Sequence, residues 1–305
     1  MRRRDTRSSA LILLGSLLAL LFIVFLIVEW PSRQAVPVAG ERSPGGREPS
    51  PPARTELARP DAKPEVGGST AEGRPAAPPG KPETARGKAA VIMDDLGYNI
   101  ETVQSLCSLK RPVTASILPY EPFTREAAEA AHECGLEIML HLPLESPVEK
   151  SGENAPGTIL SRMSGDEIRG NILSCLDRVP WRLGANNHTG SKVTESAEIM
   201  AVILAVLKDR GFYFIDSRTT SHTVASQAAR LQGVPTASRD VFLDDTLQES
   251  AIRGQMEKLF RLARDRGRAV GICHPKKETF AALEKYLGLS ERYGVELVFA
   301  SEIVE

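Results

Sequence analysis

From Lys88 onward the chain repeats one unit: a short apolar run, a turn or a polar residue, then a segment with helical patterning. Apolar runs without polar alternation are buried on both faces, which is the pattern of strands in a parallel sheet. Ala89–Met93, Thr114–Leu118, Leu136–Leu140, Leu183–His188, Phe212–Ile215, Val234–Ala237, Val241–Leu243, Ala269–Cys273 and Val295–Phe299 read as strands or strand ends. Segments 99–109, 121–134, 164–178, 196–210, 225–231, 247–266 and 278–288 read as helices, with a capping box predicted between Ser164 and Glu167. Short links between alternating elements require helical crossovers between parallel strands. The expected fold class is α/β, a distorted (β/α) barrel of about seven parallel strands. No G-x-G-x-x-G or Walker pattern interrupts it, so no nucleotide cofactor is expected. A formal net charge of -1 likewise gives no sign of a nucleic-acid partner.

The part before this domain is of a different kind. Residues 1–9 carry Arg2, Arg3, Arg4 and Arg7 against the single acid Asp5. Ala10 to Val28 holds no charged residue, and as a helix would span roughly 28 Å, close to the ~30 Å of a bilayer's hydrocarbon. Residues 10–30, closing on Trp30, are therefore expected to be an uncleaved transmembrane anchor. A cleaved signal peptide fits less well, because Glu29-Trp30-Pro31 stands where a small-residue cleavage site belongs. The arginines place the amino terminus inside and the rest outside the cytoplasm, on the periplasmic or envelope side. Residues 31–87 hold twelve of the 21 prolines and almost no large apolar side chains, so they are expected to be a disordered tether. Residues 88–305 form the folded domain. Cys107, Cys134, Cys175 and Cys273 have no C-x-x-C spacing, which argues against a zinc ribbon; one disulfide could form, with its pairing open.

The chemistry lies in what the strands deliver. Asp94 and Asp95, His141, His188, Asp216 and His274 each stand just past an apolar run, and three of the five histidines occupy such positions. In α/β folds the carboxyl ends of parallel strands are where ligands bind. Adjacent carboxylates repel and call for a compensating cation or arginine. A single strand-end histidine is commonly structural, and Asp94–Asp95 alone could be a helix cap and a turn. Together the residues point to one shared site. Imidazole and carboxylate ligands suit a divalent ion, Zn²⁺ above all, whose bound water becomes a nucleophile at neutral pH. Arg218 and Arg239 are candidates for orienting the acids. His132 and His222 are expected to be ordinary, and Asp244-Asp245 a turn or helix cap before Leu247.

The residues resemble the divergent polysaccharide deacetylase family over roughly Lys88 to Glu305. The resemblance rests on Ile92-Met93-Asp94-Asp95-Leu96-Gly97, His141-Leu142-Pro143-Leu144-Glu145, Asn186-Asn187-His188-Thr189-Gly190-Ser191, Phe214-Ile215-Asp216-Ser217-Arg218 and Ile272-Cys273-His274-Pro275. It implies that Asp94 is a general base, that Asp95 is a metal ligand and that His274 is the acid serving the leaving amine. In metal-dependent relatives a second histidine follows the first at the fourth position. Here Glu145 stands there, and His188 is the natural replacement ligand beside His141. Glu145, Asn187, Asp216, Arg218 and Arg239 are expected in supporting places.

The anchor and the resemblance together imply a membrane-anchored, extracytoplasmic metal-dependent hydrolase that deacetylates an N-acetylated amino sugar of an envelope polysaccharide. Rival readings are a non-catalytic glycan- or partner-binding envelope protein on the same fold, and a metal hydrolase acting on another bond such as an ester.

Overall fold

The computed structural model describes residues 87–147 and 155–305. The expected anchor at 10–30 and nearly all of the linker lie outside these residues, although Gly87, placed at the linker's end, already opens the first strand. No helix among the described residues is long and apolar enough to cross a membrane.

Nine strands form one wholly parallel sheet among the described residues. They are β1 (Gly87–Leu96), β2 (Thr114–Ile117), β3 (Ile138–Leu144), β4 (Arg182–Thr189), β5 (Tyr213–Asp216), β6 (Thr236–Ser238), β7 (Val241–Phe242), β8 (Arg268–Cys273) and β9 (Val295–Val298). Eight run in the order β6-β5-β4-β3-β2-β1-β8-β7, one more than the expected seven, and β9 is added against β1. The sheet curls into a half-barrel, consistent with a distorted barrel. Its edge strands β6 and β7 are consecutive in sequence, so Arg239 and Asp240 carry the chain from one edge of the sheet to the other. The interspersed helices are α1 (Ile100–Ser108), α2 (Thr124–Glu133), α3 (Gly165–Arg178), the single turn α4 (Ser191–Thr194), α5 (Ala197–Asp209), α6 (Ala225–Gln232), α7 (Glu249–Arg266) and α8 (Lys277–Tyr286). The predicted box forms at α3: Ser164 accepts from Glu167 N while the Glu167 carboxylate accepts from Ser164 N.

Strand β1 organises the molecule. Its lower half pairs with β9, its upper half with β2, and its other side with β8. Ala89 to Met93 are fully buried because both faces are covered. Ala89, Val91 and Met93 meet the large outer core between sheet and helices. Ala90 and Ile92 meet a small inner core with Met139, Tyr213, Ile215, Val270, Ile272, Ala300 and Ile303. Below them Glu137 accepts from Tyr213 Oη at 2.7 Å, Ser301 N at 3.0 Å and Thr114 Oγ1 at 3.3 Å, so the carboxyl-terminal segment plugs the lower end through a satisfied polar network. The interior is thus filled at the bottom and polar at the top. Cys107 at the end of α1 is disulfide-bonded to Cys134 after α2, the pairing that sequence left open, whereas Cys175 and Cys273 are buried thiols.

Candidate functional site

The two-residue alternation of strands decides which predicted side chains meet. On β1 the inner phase passes from Ala90 and Ile92 to Asp94. A regular strand would turn Asp95 outward. Instead the pairing with β2 shifts between Met93 and Leu96, Asp95 adopts a left-handed backbone at φ 57, and Leu96 rejoins the outer core. One extra residue is accommodated as in a β-bulge, and two consecutive carboxylates face inward. A non-glycine residue in this backbone region is uncommon and concentrates where function requires it. On β3 the inner phase runs from Met139 to His141, and on β8 from Val270 and Ile272 to His274. Outward Ala185 on β4 leaves Asn186 and His188 inside.

The consequence is a tight cluster. Asp95 Oδ1 lies 3.2 Å from His141 Nε2 and 3.0 Å from His188 Nδ1, and the two ring nitrogens are 3.1 Å apart. Asp95, His141 and His188 form a group able to hold a metal ion. The donor set fits. Ligand atoms each ~2.0–2.1 Å from a tetrahedral zinc would stand roughly 3.3 Å apart, which these separations nearly match. Asp95 Oδ1 is also buried without a hydrogen-bond partner of acceptable geometry, an orphaned acceptor that a cation would satisfy.

Asn186 sets the cluster's orientation. Its Oδ1 lies 2.8 Å from His141 Nδ1 and accepts from Ser116 Oγ at 2.8 Å, and its Nδ2 donates to Asp94 Oδ1 at 2.8 Å. The acceptor at Nδ1 places a proton there by the logic of the network, so Nε2, directed at Asp95, is the atom that would lose its proton to a metal ion. Asp94 and His141 are 3% and 2% exposed. Burial opposes charge on His141, yet the carboxylates of Asp94 and Asp95, with Asn186, raise its pKa to about 9. Burial likewise pushes Asp95 up, but the two imidazoles outweigh it and hold the carboxyl well below the usual range.

His274 stands on the other side of β1. Cys273 pairs with Met93, so His274 and Asp94 are cross-strand neighbours on the inner face. Asp244 holds it: Oδ2 accepts from His274 N at 2.7 Å and Thr279 Oγ1 at 2.9 Å, while Oδ1 lies 3.1 Å from His274 Nδ1. Burial lowers the His274 pKa, and the Asp244 carboxylate, helped by Asp94 and Asp95, more than reverses this. Asp244 is therefore no mere turn or cap. Outward Val241 and Leu243 already put Phe242 and Asp244 in the inner phase, a signal that a two-residue strand gives only faintly. Asn186 and Ser116 lie within longer strands, β4 and β2, and receive no role from sequence because an uncharged polar residue inside a strand does not by itself signal chemistry.

The expected supporting residues act farther out. Glu145 accepts from Ser161 N at 2.6 Å and Lys192 Nζ at 2.6 Å, which brings its carboxyl to about 2 against the opposing effect of burial. It fastens the loop after β3 and is not in the metal-type group. Asn187, in the outer phase, accepts from Ser217 N at 2.9 Å and donates to Thr189 O at 2.8 Å, tying the ends of β4 and β5. Asp216 also points outward, accepting from Arg218 N, Thr223 Oγ1 and Ser226 Oγ. Arg239 donates to the carbonyls of Ser217 and Arg218 instead of to an acid. His132 stacks on Trp181, and exposed His222 lies 3.8 Å from Glu195; neither belongs to the metal-type group.

A family model described as divergent polysaccharide deacetylase matches residues 91–304. The chain belongs to that family. Among curated relatives, the uncharacterized protein YibQ of Escherichia coli strain K12 is 36% identical over 203 residues, covering 65% of this chain and 62% of the relative. The match therefore spans less than two thirds of YibQ. An uncharacterized protein of Haemophilus influenzae is 30% identical over 199 residues, covering 65% of this chain and 70% of its own length. The crystal structure of the uncharacterized protein ATU2773 of Agrobacterium tumefaciens C58 superposes with a TM-score of 0.68 at 21% identity, covering 74% of this chain and 92% of that one. That likeness is one of fold.

Proposed function

We propose that this divergent polysaccharide deacetylase is an active, metal-dependent enzyme that removes acetyl groups from an N-acetylated amino sugar of an extracytoplasmic polysaccharide. The observation that carries the reading is the convergence of Asp95, His141 and His188 next to Asp94 and His274, each of the latter two with its own polar partner. Asp95, His141 and His188 would hold a divalent ion, with zinc the best match to two imidazoles and a carboxylate. When bound, such an ion supplies Lewis acidity that acidifies water and polarises a carbonyl. Asp94 binds Asn186 through Oδ1, and Oδ2, 3.7 Å from His141 Nε2 but without a hydrogen bond, is the atom that would take a proton. His274, whose protonated form the Asp244 carboxylate favours, gives a proton to the departing nitrogen. His188 and His274 have side chains 33% and 24% exposed, so the proposed ligand and the proposed acid both face solvent, where a substrate must enter.

We also propose that residues 10–30 anchor the protein in the cytoplasmic membrane with its amino terminus inside. The disulfide between Cys107 and Cys134 supports an oxidising compartment for the domain. Carbonate washing should leave the full-length protein in membranes, and removal of residues 1–30 should release it. The decisive experiment for activity is acetate release from N-acetylglucosamine oligomers by metal-loaded protein. Protein that carries its metal yet releases no acetate from any glycan or ester would favour a binding role.

A further inference from the structure

We propose that Arg218, backed by Arg239, forms a subsite for a carboxylate or phosphate group carried by the glycan. The inference rests on the deacetylase reading and narrows its substrate to an anionic amino-sugar polymer.

The loop 217–219 is built with unusual care for a surface turn. Arg218 holds a left-handed backbone at φ 51, a conformation that non-glycine residues keep only when their surroundings enforce it. Those surroundings are explicit. Ser217 N donates to Asn187 Oδ1, Arg218 N donates to Asp216 Oδ1 at 2.9 Å, and Thr219 Oγ1 donates to Thr189 O at 3.1 Å. Thr189 follows His188, so one end of the loop is fastened beside the metal-type cluster. On the other side Arg239 donates through Nε to Ser217 O at 2.7 Å and through Nη2 to Arg218 O at 2.9 Å. The Arg239 guanidinium lies over Phe242, 5.0 Å from the ring centroid, and Phe242 in turn packs 5.1 Å from the His274 ring. The loop that carries Arg218 is thus tied to Thr189, next to His188, on one side and, through Arg239 and Phe242, to the His274 ring on the other.

Neither guanidinium has a carboxylate at ion-pair distance among the described residues. Asp216 is occupied on the helix side by Arg218 N, Thr223 and Ser226, and Asp240 pairs with Arg266. Burial and the nearby Arg218 charge both lower the Arg239 pKa, against the opposing carboxylates of Asp216, Asp94 and Asp240. Two cations thus stand close together with their remaining donors unused. The charge balance sharpens the point. A divalent ion would offset Asp94 and Asp95, and a protonated His274 would offset Asp244, which leaves the single carboxylate of Asp216 against Arg218 and Arg239 and one positive charge surplus. A neutral acetamido sugar leaves that surplus uncompensated. A substrate oxyanion compensates it, and guanidinium is the side chain best shaped for carboxylate and phosphate.

Binding and turnover of three probes on metal-loaded full-length protein test the proposal. The probes are uncharged N-acetylglucosamine oligomers, an N-acetylglucosamine phosphate ester, and an N-acetylated amino sugar bearing a lactyl-ether carboxylate. At least one anionic probe should bind about tenfold to a hundredfold more tightly than the uncharged sugar, and the preference should fall as salt rises. Comparing the two anionic probes separates the carboxylate from the phosphate source. Arg218→Asn, whose side chain tolerates a left-handed backbone, should abolish the preference, and Arg218→Lys should retain part of it. Equal binding of charged and uncharged probes, or a preference untouched by Arg218→Asn, overturns the subsite. Acetate release with no charge preference would discard the subsite and keep the deacetylase. Charge-selective binding without acetate release would do the reverse.

Discussion

Asp244 accepts the backbone N–H of His274 through Oδ2 at 2.7 Å and lies 3.1 Å from its ring Nδ1 through Oδ1. One carboxylate thus fixes both where the imidazole sits and which way it turns. The Nδ1 proton is directed to Asp244, so Nε2 is the atom left to exchange a proton with a substrate. Because the His274 pKa is raised, the protonated acid persists above the ordinary 6.5 of histidine, and the alkaline limb of a pH–rate profile should lie above that value. Asp244→Asn removes the carboxylate that raises it. That limb should therefore move to lower pH, with a loss of rate at pH 7.5 to 8. An unmoved limb would show that His274 is not the titrating acid.

The metal centre is tested residue by residue. His141→Ala and His188→Ala should each sharply reduce bound divalent ion, measured by elemental analysis, because both ring nitrogens converge on Asp95 Oδ1. His132→Ala and His222→Ala should leave metal content unchanged. Asn186→Ala should weaken binding by roughly 10–100-fold, since it frees the His141 ring and leaves Asp94 Oδ1 unpartnered.

How far the sequence reveals this site depends on strand phase. Asp94, His141, His188 and His274 are legible because each prolongs an apolar run, and each falls on the inner phase. Asp216 and Asn187 look equally good by that criterion but lie one residue out of phase, so they fasten loops instead. Asp95 is out of phase too, and only a left-handed backbone returns it inward. Nothing in the spacing alone announces such a bulge; the resemblance to deacetylases marked Asp95 as a ligand without it. The barrel itself was legible because both faces of β1 are covered, which leaves an uninterrupted apolar run. Disulfide pairing was not, because it depends on how the ends of α1 and α2 approach in space.

The disulfide makes its own prediction. Cys107 and Cys134 are separated by 27 positions, and closing a loop of that length restricts the unfolded chain by roughly 3.5 kcal/mol in the entropic account. Replacing both cysteines with alanine should lower unfolding free energy by ~2–4 kcal/mol in urea titrations. Replacing buried Cys175 and Cys273 with serine tests packing instead, and the stability it loses relative to wild type should be the same with and without reductant.

The last prediction separates proton transfer from metal binding. Asp94 and Asp95 are adjacent, but only Asp95 belongs to the metal-type group, while Asp94 Oδ1 is taken by Asn186. Asp94→Asn should therefore keep metal content and the melting transition close to wild type. The amide cannot accept the proton that Oδ2 would take, so turnover should fall by about 10²–10⁴-fold, equivalent to roughly 3–5 kcal/mol of barrier. His274→Ala should produce a loss of similar size with metal again retained. Combining the two substitutions is informative because both groups serve one reaction: if they act in the same rate-limiting step, the double variant should lose less than the product of the single losses. A loss of metal in Asp94→Asn would place Asp94 among the ligands. Full activity in the same variant would remove it from proton transfer altogether.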